Sequence, residues 1–317
     1  MPTIFVTLGT MNFGGRTSKE EAARIVHHAL ERGVTFFDTA NVYGDGASEE
    51  ILGEALRDAG IRREAVGVAT KVGLKRRNRG KPEGLSAPVV RAALDESLRL
   101  LGMEYVDVYY LHAPDPSTPL EETLDAVQEI IAAGKARAFG VSNFAAWQIA
   151  ELNHLCDARG MPRPAMSQVL YNLLVRQLDL EYLAFTRAHP LHTTVYNPLA
   201  GGLLARAVKP GDAIPVGSRF EKNKLYRGRY WTDALLQQAS RYSELARDAG
   251  MSLCTLAYAW IAARRANGVT SVLAGPGTVE HLDAALDGTS VTLTPELLAR
   301  IDELHRAFTG TDVSYAR

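Results

Sequence analysis

Eight short apolar runs, each followed by a helix-like amphipathic stretch, restrict what this chain can fold into more than any other feature. The runs fall near residues 4–8, 34–38, 66–70, 106–111, 137–141, 165–169, 193–196 and 270–273. Each is too short for a helix and apolar enough for a strand buried on both faces. Helical patterns fill the gaps, over 18–32, 48–58, 86–101, 120–133, 145–158, 177–188, 232–249 and 278–285. Thr17 and Ser18 open the first helix ahead of an acidic first turn, and Gly33 ends it. Eight alternating strands and helices predict a (β/α)8 TIM barrel, whose strands all open their carboxyl ends onto one face. Two segments exceed the minimal repeat. One is a Gly-, Pro- and Arg-rich excursion over 201–230, after the seventh strand; the other is a helix opened by Thr294-Pro295-Glu296, before a tail over 306–317.

At 317 residues, with 46% hydrophobic and 22% charged, the chain fits one barrel domain over residues 1–317. Net charge is −1 and the basic residues are scattered, which argues against a nucleic acid or a membrane surface as partner. The N-terminus has no signal-peptide pattern and no run reaches membrane-spanning length, so the expected location is the cytoplasm. Cys156 and Cys254 lie among apolar neighbours and read as structural thiols, and no metal is expected. A homodimer is compatible with the sequence.

Four polar residues stand where the strands end: Asp38 in FFDTA, Tyr43 in NVYGD, Lys71 in ATKVG and His112 in YLHAP. Taken singly, each has an ordinary explanation. Asp38 suits a turn cap, Lys71 a solvated loop and His112 a turn backbone. On one barrel face they suit proton delivery to a carbonyl oxygen. A free tyrosine, with a pKa of roughly 10, is a slow proton donor, and a neighbouring ammonium lowers that value. Lys71 is expected to do this for Tyr43, with Asp38 holding Lys71 charged and His112 orienting the substrate oxygen. A metal site built from His112, Asp115 and Asp38 is disfavoured because no His-x-His or similar ligand cluster accompanies them.

The tetrad and its flanks resemble the aldo-keto reductases over nearly the whole chain. Within that family, YLHAPD (110–115), YNPLAGGLL (196–204), LYRGRYW (225–231) and the final YAR (315–317) resemble the aflatoxin-aldehyde and succinic-semialdehyde reductase branch. The resemblance implies NADP(H)-dependent reduction of a small aldehyde or ketone, with the four residues in the roles above and NAD(H) as the other cofactor option. No GxGxxG joins a strand to a helix here; GDGASEE (44–50) has the wrong spacing. Barrels instead hold phosphate through the loops after their last strands and a helix N-terminus. By resemblance, those loops are Asn197, Pro198, Leu199, Ala200, Gly201, Gly202 and Leu203 in one, and Gly275, Thr278 and His281 in the other. Ser142, Asn143 and Gln168 match positions that hydrogen-bond the nicotinamide carboxamide. Ser142-Asn143 is also expected to cap the helix that follows. Tyr196 matches the aromatic that stacks on the ring, and Arg219 a cofactor-contacting arginine.

The chain departs from the family pattern after strand eight. Gly275, Pro276, His281 and Ala285 stand where basic, hydroxyl or amide side chains are common, which weakens the clamp on a 2′-phosphate. Tyr226, Arg229 and Arg317 match positions that surround an anionic substrate, and paired guanidinium groups suit a carboxylate. The basic, aromatic-rich 219–231 segment is too isolated to argue for RNA. Potassium-channel β subunits resemble the same fold and retain the tetrad, so a regulatory or binding subunit is the alternative function. Their N-terminal extension is not expected here, since the first strand is placed almost at Met1. A non-redox barrel, an isomerase or metal-dependent hydrolase, is a third class.

Overall fold

The computed structural model describes residues 5–75 and 82–311. Eight parallel strands close in sequence order into a barrel: β1 (Phe5–Gly9), β2 (Phe36–Asp38), β3 (Gly67–Val72), β4 (Val106–Leu111), β5 (Ala136–Ser142), β6 (Met166–Leu170), β7 (His192–Tyr196) and β8 (Ser271–Ala274). Around it run α1 (Lys19–Glu31), α2 (Ala47–Asp58), α3 (Ala87–Leu101), α4 (Leu120–Ala132), α5 (Ala146–Arg159), α6 (Tyr182–Ala188), α7 (Arg219–Lys222), α8 (Lys224–Tyr230), α9 (Asp233–Asp248), α10 (Leu253–Ala263), α11 (Val279–Ser290) and α12 (Pro295–Thr309). The strands lie where the apolar runs predict them, and the expected barrel is the observed one.

Four expectations about the helices are corrected. The sequence pattern predicts no helix at α10, because LCTLAYAWIAA is apolar nearly all round and carries no amphipathic period. It is buried from Leu256 to Ile261, which explains the missing polar face. The helix expected over 177–188 begins at Tyr182, after a separate 3-10 turn at Gln177–Asp179, because Glu181 leaves helical geometry at φ −146°. The excursion carries a 3-10 turn (Ala200–Ala205), α7 and α8, with Asn223 capping α8 through the Tyr226 N–H. α12 runs on to Thr309, into the expected tail, and stops at Gly310, whose φ is +73°.

A small apolar plug fills the barrel and sets the floor of the site. Ala69, Val108, Tyr110 and Met166 form a buried cluster, with Phe36 packed against it, separate from the main core between strands and helices. Successive strand residues face opposite sides, so residues two further along face the same way. Asp38, Lys71, His112 and Gln168 follow Phe36, Ala69, Tyr110 and Met166 by that interval, so all four point into the barrel above the plug. Gly140 makes room for it: a Cβ there would come within 2.6 Å of the Tyr110 ring and 2.9 Å of the Met166 carbonyl oxygen.

On the outside, α12 is tied down by a cluster around Trp260. The guanidinium groups of Arg176 and Arg264 lie 5.0 and 4.7 Å from its ring, and both donate to Asp302 of α12. His305, one helical turn further on, is drawn down to a pKa of about 4, first by burial and then by the Arg176 charge.

Candidate active site

β2 and β3 place Asp38 and Lys71 side by side, 1% and 0% exposed. Lys71 donates to Asp38 Oδ1 and, at 2.7 Å, to the Thr39 carbonyl; Tyr43 Oη lies 3.5 Å from its Nζ. Directly after Tyr43 the chain turns sharply, through Gly44 and Asp45 at φ +60° and +55°, and leads into α2. Ser48 then anchors the start of α2, donating to the Thr10 carbonyl at 2.9 Å. The Tyr43 and His112 rings meet edge-on, 5.9 Å apart at 80°. The tetrad expected from the sequence therefore assembles as one group.

Electrostatics depart from expectation at Tyr43. Its phenol sits well above the ordinary value, because of burial first and then the Asp38 charge; Arg219 opposes the shift. The lowering expected from Lys71 does not emerge, and Tyr43 is a fully protonated phenol at neutral pH. Burial pushes Lys71 down, opposed by Asp38 and then by Glu49 of α2. Burial likewise pushes Asp38 up, against Lys71 and Gln168. His112 lies well below its usual value through burial and the Lys71 charge, so it is a neutral imidazole, with a buried Nδ1 that has no hydrogen-bond partner among the described residues.

On the β5–β7 side, Asn143 links the expected nucleotide-binding residues to the tetrad. At φ +63° its side chain donates to the His112 carbonyl at 2.9 Å and accepts from Tyr196 Oη at 2.7 Å. The expected cap by Ser142-Asn143 is corrected: the cap of α5 is Ala145, whose N–H donates to Gln148 at 2.9 Å, since the left-handed Asn143 lies two residues too early. The loop after β7 turns through Asn197 and Ala200 at φ +64° and +50°, then Gly201 and Gly202 at +72° and +106°. Pro198, Leu199 and Leu203 belong to that same turn, and Asn197 Oδ1 accepts from the Gly201 N–H at 2.8 Å.

The excursion folds back over the barrel mouth. Arg219 donates to Asn12 Oδ1 at 2.7 Å and to Tyr226 Oη at 3.1 Å, and Asn12 donates onward to the Gly275 carbonyl at 3.0 Å. Asn12 thus joins the loops after β1, β7 and β8. At the start of α11, Thr278 caps the helix by accepting from the His281 N–H, and His281 itself is exposed. The Val279 N–H donates to the Glu21 carboxylate of α1 at 3.3 Å. Tyr226 is buried between two cations, with Arg219 and Arg229 lying 4.9 and 5.8 Å from its ring. The Arg229 charge also acts on Tyr196, opposing the upward shift that burial gives its phenol.

The family model for the aldo/keto reductases matches residues 6–306. The chain belongs to the aldo/keto reductase family. It is 40% identical over 237 residues to human aflatoxin B1 aldehyde reductase member 2, covering 73% of this chain and 65% of that one. It is 34% identical over 303 residues to a probable voltage-gated potassium channel subunit beta of Arabidopsis thaliana, covering 93% and 90%. An uncharacterised oxidoreductase of Bacillus subtilis is 33% identical over 309 residues, covering 94% and 90%.

In this aldo/keto reductase, the expected site residues collect on the carboxyl-end face of the barrel, apart from Arg317, which lies outside the described residues. Trp231 packs on Phe220 at 5.0 Å, while Trp147 is 65% exposed. Asp115 is occupied by the Leu85 N–H and by Ser117 and Thr118. Among the described residues, no group of His, Cys, Asp and Glu is placed to hold a metal ion, and no helix is long and apolar enough to cross a membrane. Three contributors went unread in the sequence: Asn12, Glu21 and Glu49. Asn12 follows the end of β1, where function gathers in this fold, and could have been found by that rule. Glu21 and Glu49 sit on helices, among residues that read as a solvated acidic first turn; Glu49 is nevertheless 0% exposed and accepts from Thr70 at 2.5 Å.

Proposed function

We propose that this chain reduces a small aldehyde bearing a carboxylate or a second carbonyl, using NADP(H), and that Tyr43 is the general acid. The observation that supports this most directly is the placement of a protonated Tyr43 hydroxyl 3.5 Å from the Lys71 ammonium and edge-on to a neutral His112. As charge develops on the carbonyl oxygen, the proton leaves Tyr43 Oη for that oxygen, and Lys71 steadies the phenolate left behind. His112, neutral and edge-on to Tyr43, would hydrogen-bond the same oxygen through its ring and orient it.

The residues present fit a dinucleotide. The left-handed turn Asn197–Gly202 presents bent backbone, a Cβ at Gly275 would meet nothing closer than 3.9 Å, and α11 offers its N-terminus. Ser142, Asn143, Gln168 and Tyr196 would hold the nicotinamide end, and Asn197–Leu203, Arg219, Gly275, Thr278 and His281 the phosphates and adenosine. A nicotinamide bound there supplies the hydride. Arg229, Tyr226 and Arg317 would receive the substrate carboxylate. The measurement is nucleotide oxidation by the purified protein with a panel of aldehydes and both NADPH and NADH. Failure to oxidise either nucleotide with any aldehyde overturns the reading.

A second reading, a regulatory subunit with vestigial turnover, is supported by the long alignment with proteins named potassium channel β subunits. It predicts nucleotide binding with turnover too slow to respond to Tyr43→Phe, and the same assay separates the two.

A further inference from the structure

In an eight-stranded barrel closed in sequence order, β2 and β6 stand opposite each other. A hydrogen bond crosses the barrel between them: Gln168 Nε2 donates to Asp38 Oδ2 at 2.8 Å. Both residues are buried, Gln168 3% and Asp38 1% exposed. Lys71 takes the other carboxylate oxygen. An ionised carboxylate only accepts hydrogen bonds, so the amide must turn its NH2 to Asp38. Any contact of Gln168 with a nucleotide carboxamide is then left to its Oε1. The backbone of Gln168 acts in the other direction, its carbonyl accepting from the Asn143 N–H at 3.0 Å. Asn143 in turn holds the His112 carbonyl and the Tyr196 hydroxyl.

We propose that Gln168 is a positioning residue, holding Asp38 ionised and turned toward Lys71 from across the barrel. This rests on the reading of Tyr43, Lys71 and Asp38 as the proton-delivery group. Charges survive burial only when each has partners, because desolvation drives a buried carboxylate and ammonium toward their neutral forms. Remove the amide, and Oδ2 is left a buried acceptor without its donor while the carboxylate is free to rotate about Cβ–Cγ. Asp38 then protonates more easily, Lys71 loses its counter-charge, and the phenolate formed at Tyr43 goes unsupported.

The test compares the wild type with Gln168→Met, which keeps side-chain length, and Gln168→Glu. The Asp38 carboxyl is followed by ¹³C NMR in nucleotide-free protein, its resonance assigned with Asp38→Asn. Turnover at saturating nucleotide is measured against pH, and nucleotide affinity by fluorescence. In Gln168→Met the Asp38 titration should move to higher pH. kcat should fall by at least about tenfold, the loss of a hydrogen bond to a buried charge. Nucleotide affinity should fall as well, because the variant also removes the Oε1 left for the nicotinamide, so the Asp38 titration in nucleotide-free protein and kcat at saturating nucleotide carry the test. In Gln168→Glu, kcat should recover as pH falls, because the protonated new carboxyl again donates to Asp38. An unmoved Asp38 titration in Gln168→Met overturns the proposal, as does weakened nucleotide binding with an unchanged kcat. If the wild type shows no carbonyl reduction while the titration moves as expected, the positioning role stands and the reductase reading falls.

Discussion

Lys71 and Tyr43 meet with Nζ 3.5 Å from Oη, at the outer limit of a hydrogen bond, while Lys71 is held at shorter range by the Thr39 carbonyl and by Asp38. The lysine is therefore fixed from β2, and in the proposed mechanism the tyrosine is the member free to follow the substrate oxygen. Its phenol, raised by burial and by Asp38, keeps its proton until an oxyanion forms beside it. On the proposed mechanism, acidity is thus supplied during the reaction and not stored in the resting site.

Tyr43→Phe keeps the ring and removes the proton. Carbonyl reduction should fall roughly 10²–10⁴-fold, the usual contribution of a general acid, with nucleotide affinity little changed. Lys71→Met should be similarly severe, because the phenolate loses its ammonium. Steady-state rates and nucleotide titration of both variants check this, and near-normal turnover in Tyr43→Phe would sink the mechanism.

Nucleotide preference turns on two residues of opposite sign. In the proposed site Arg219 would favour a 2′-phosphate, but it is already bonded to Asn12 and Tyr226. Glu21 places a carboxylate on the Val279 N–H, at the helix start where that phosphate is expected. NADPH should be preferred over NADH by only a modest margin. Arg219→Ala should weaken NADPH more than NADH, and Glu21→Gln should widen the preference for NADPH by removing a repelling charge. Fluorescence titration with both nucleotides decides; equal losses in Arg219→Ala would take that residue away from the phosphate.

The barrel was legible in the sequence because strands buried on both faces are apolar runs with sharp ends, and Asp38, Lys71 and His112 mark three of those ends. α10 was not, because a helix buried all round has lost the polar face that betrays its period. The tetrad was legible as residue types at strand ends. Its supports were not: the Gln168–Asp38 bond joins residues 130 positions apart, and Asn12 reaches Gly275 across 263. No local pattern encodes such contacts, since closure of the barrel creates them. The shift at Tyr43 was misjudged for a related reason. Types and spacing show which charges are near, whereas burial, the larger influence here, depends on the finished packing.

His305 gives the fold an acid-sensitive anchor. Its pKa of about 4 in the folded protein lies below the roughly 6.5 of an unfolded histidine. Between those values the unfolded chain binds the extra proton, so stability is full above about pH 6.5 and declines as pH falls toward 4. His305 is only half-buried, so solvent screening trims the effect. Thermal unfolding should therefore shift less between pH 7 and pH 4.5 in His305→Gln than in the wild type, taking roughly those limits from the same linkage. Parallel pH dependences would show that the proton goes elsewhere.

Substrate charge is the remaining choice. Arg229 lies against Tyr226 and its charge acts on Tyr196, whose hydroxyl donates to the Asn143 that holds the His112 carbonyl; in the proposed site a carboxylate a few bonds from the reacting carbonyl would come within its reach. Succinic semialdehyde should outperform an uncharged aldehyde of similar length by about ten- to hundredfold in kcat/KM, the effect of one charge-assisted hydrogen bond. Arg229→Met should lose that advantage while sparing the neutral aldehyde. Deletion of residues 315–317 should do likewise if Arg317 shares the carboxylate, so the comparison calls for untagged protein. Equal activity of the wild type on both aldehydes would mean that Arg229 only packs on the Tyr226 ring, and the carboxylate assignment would have to be dropped.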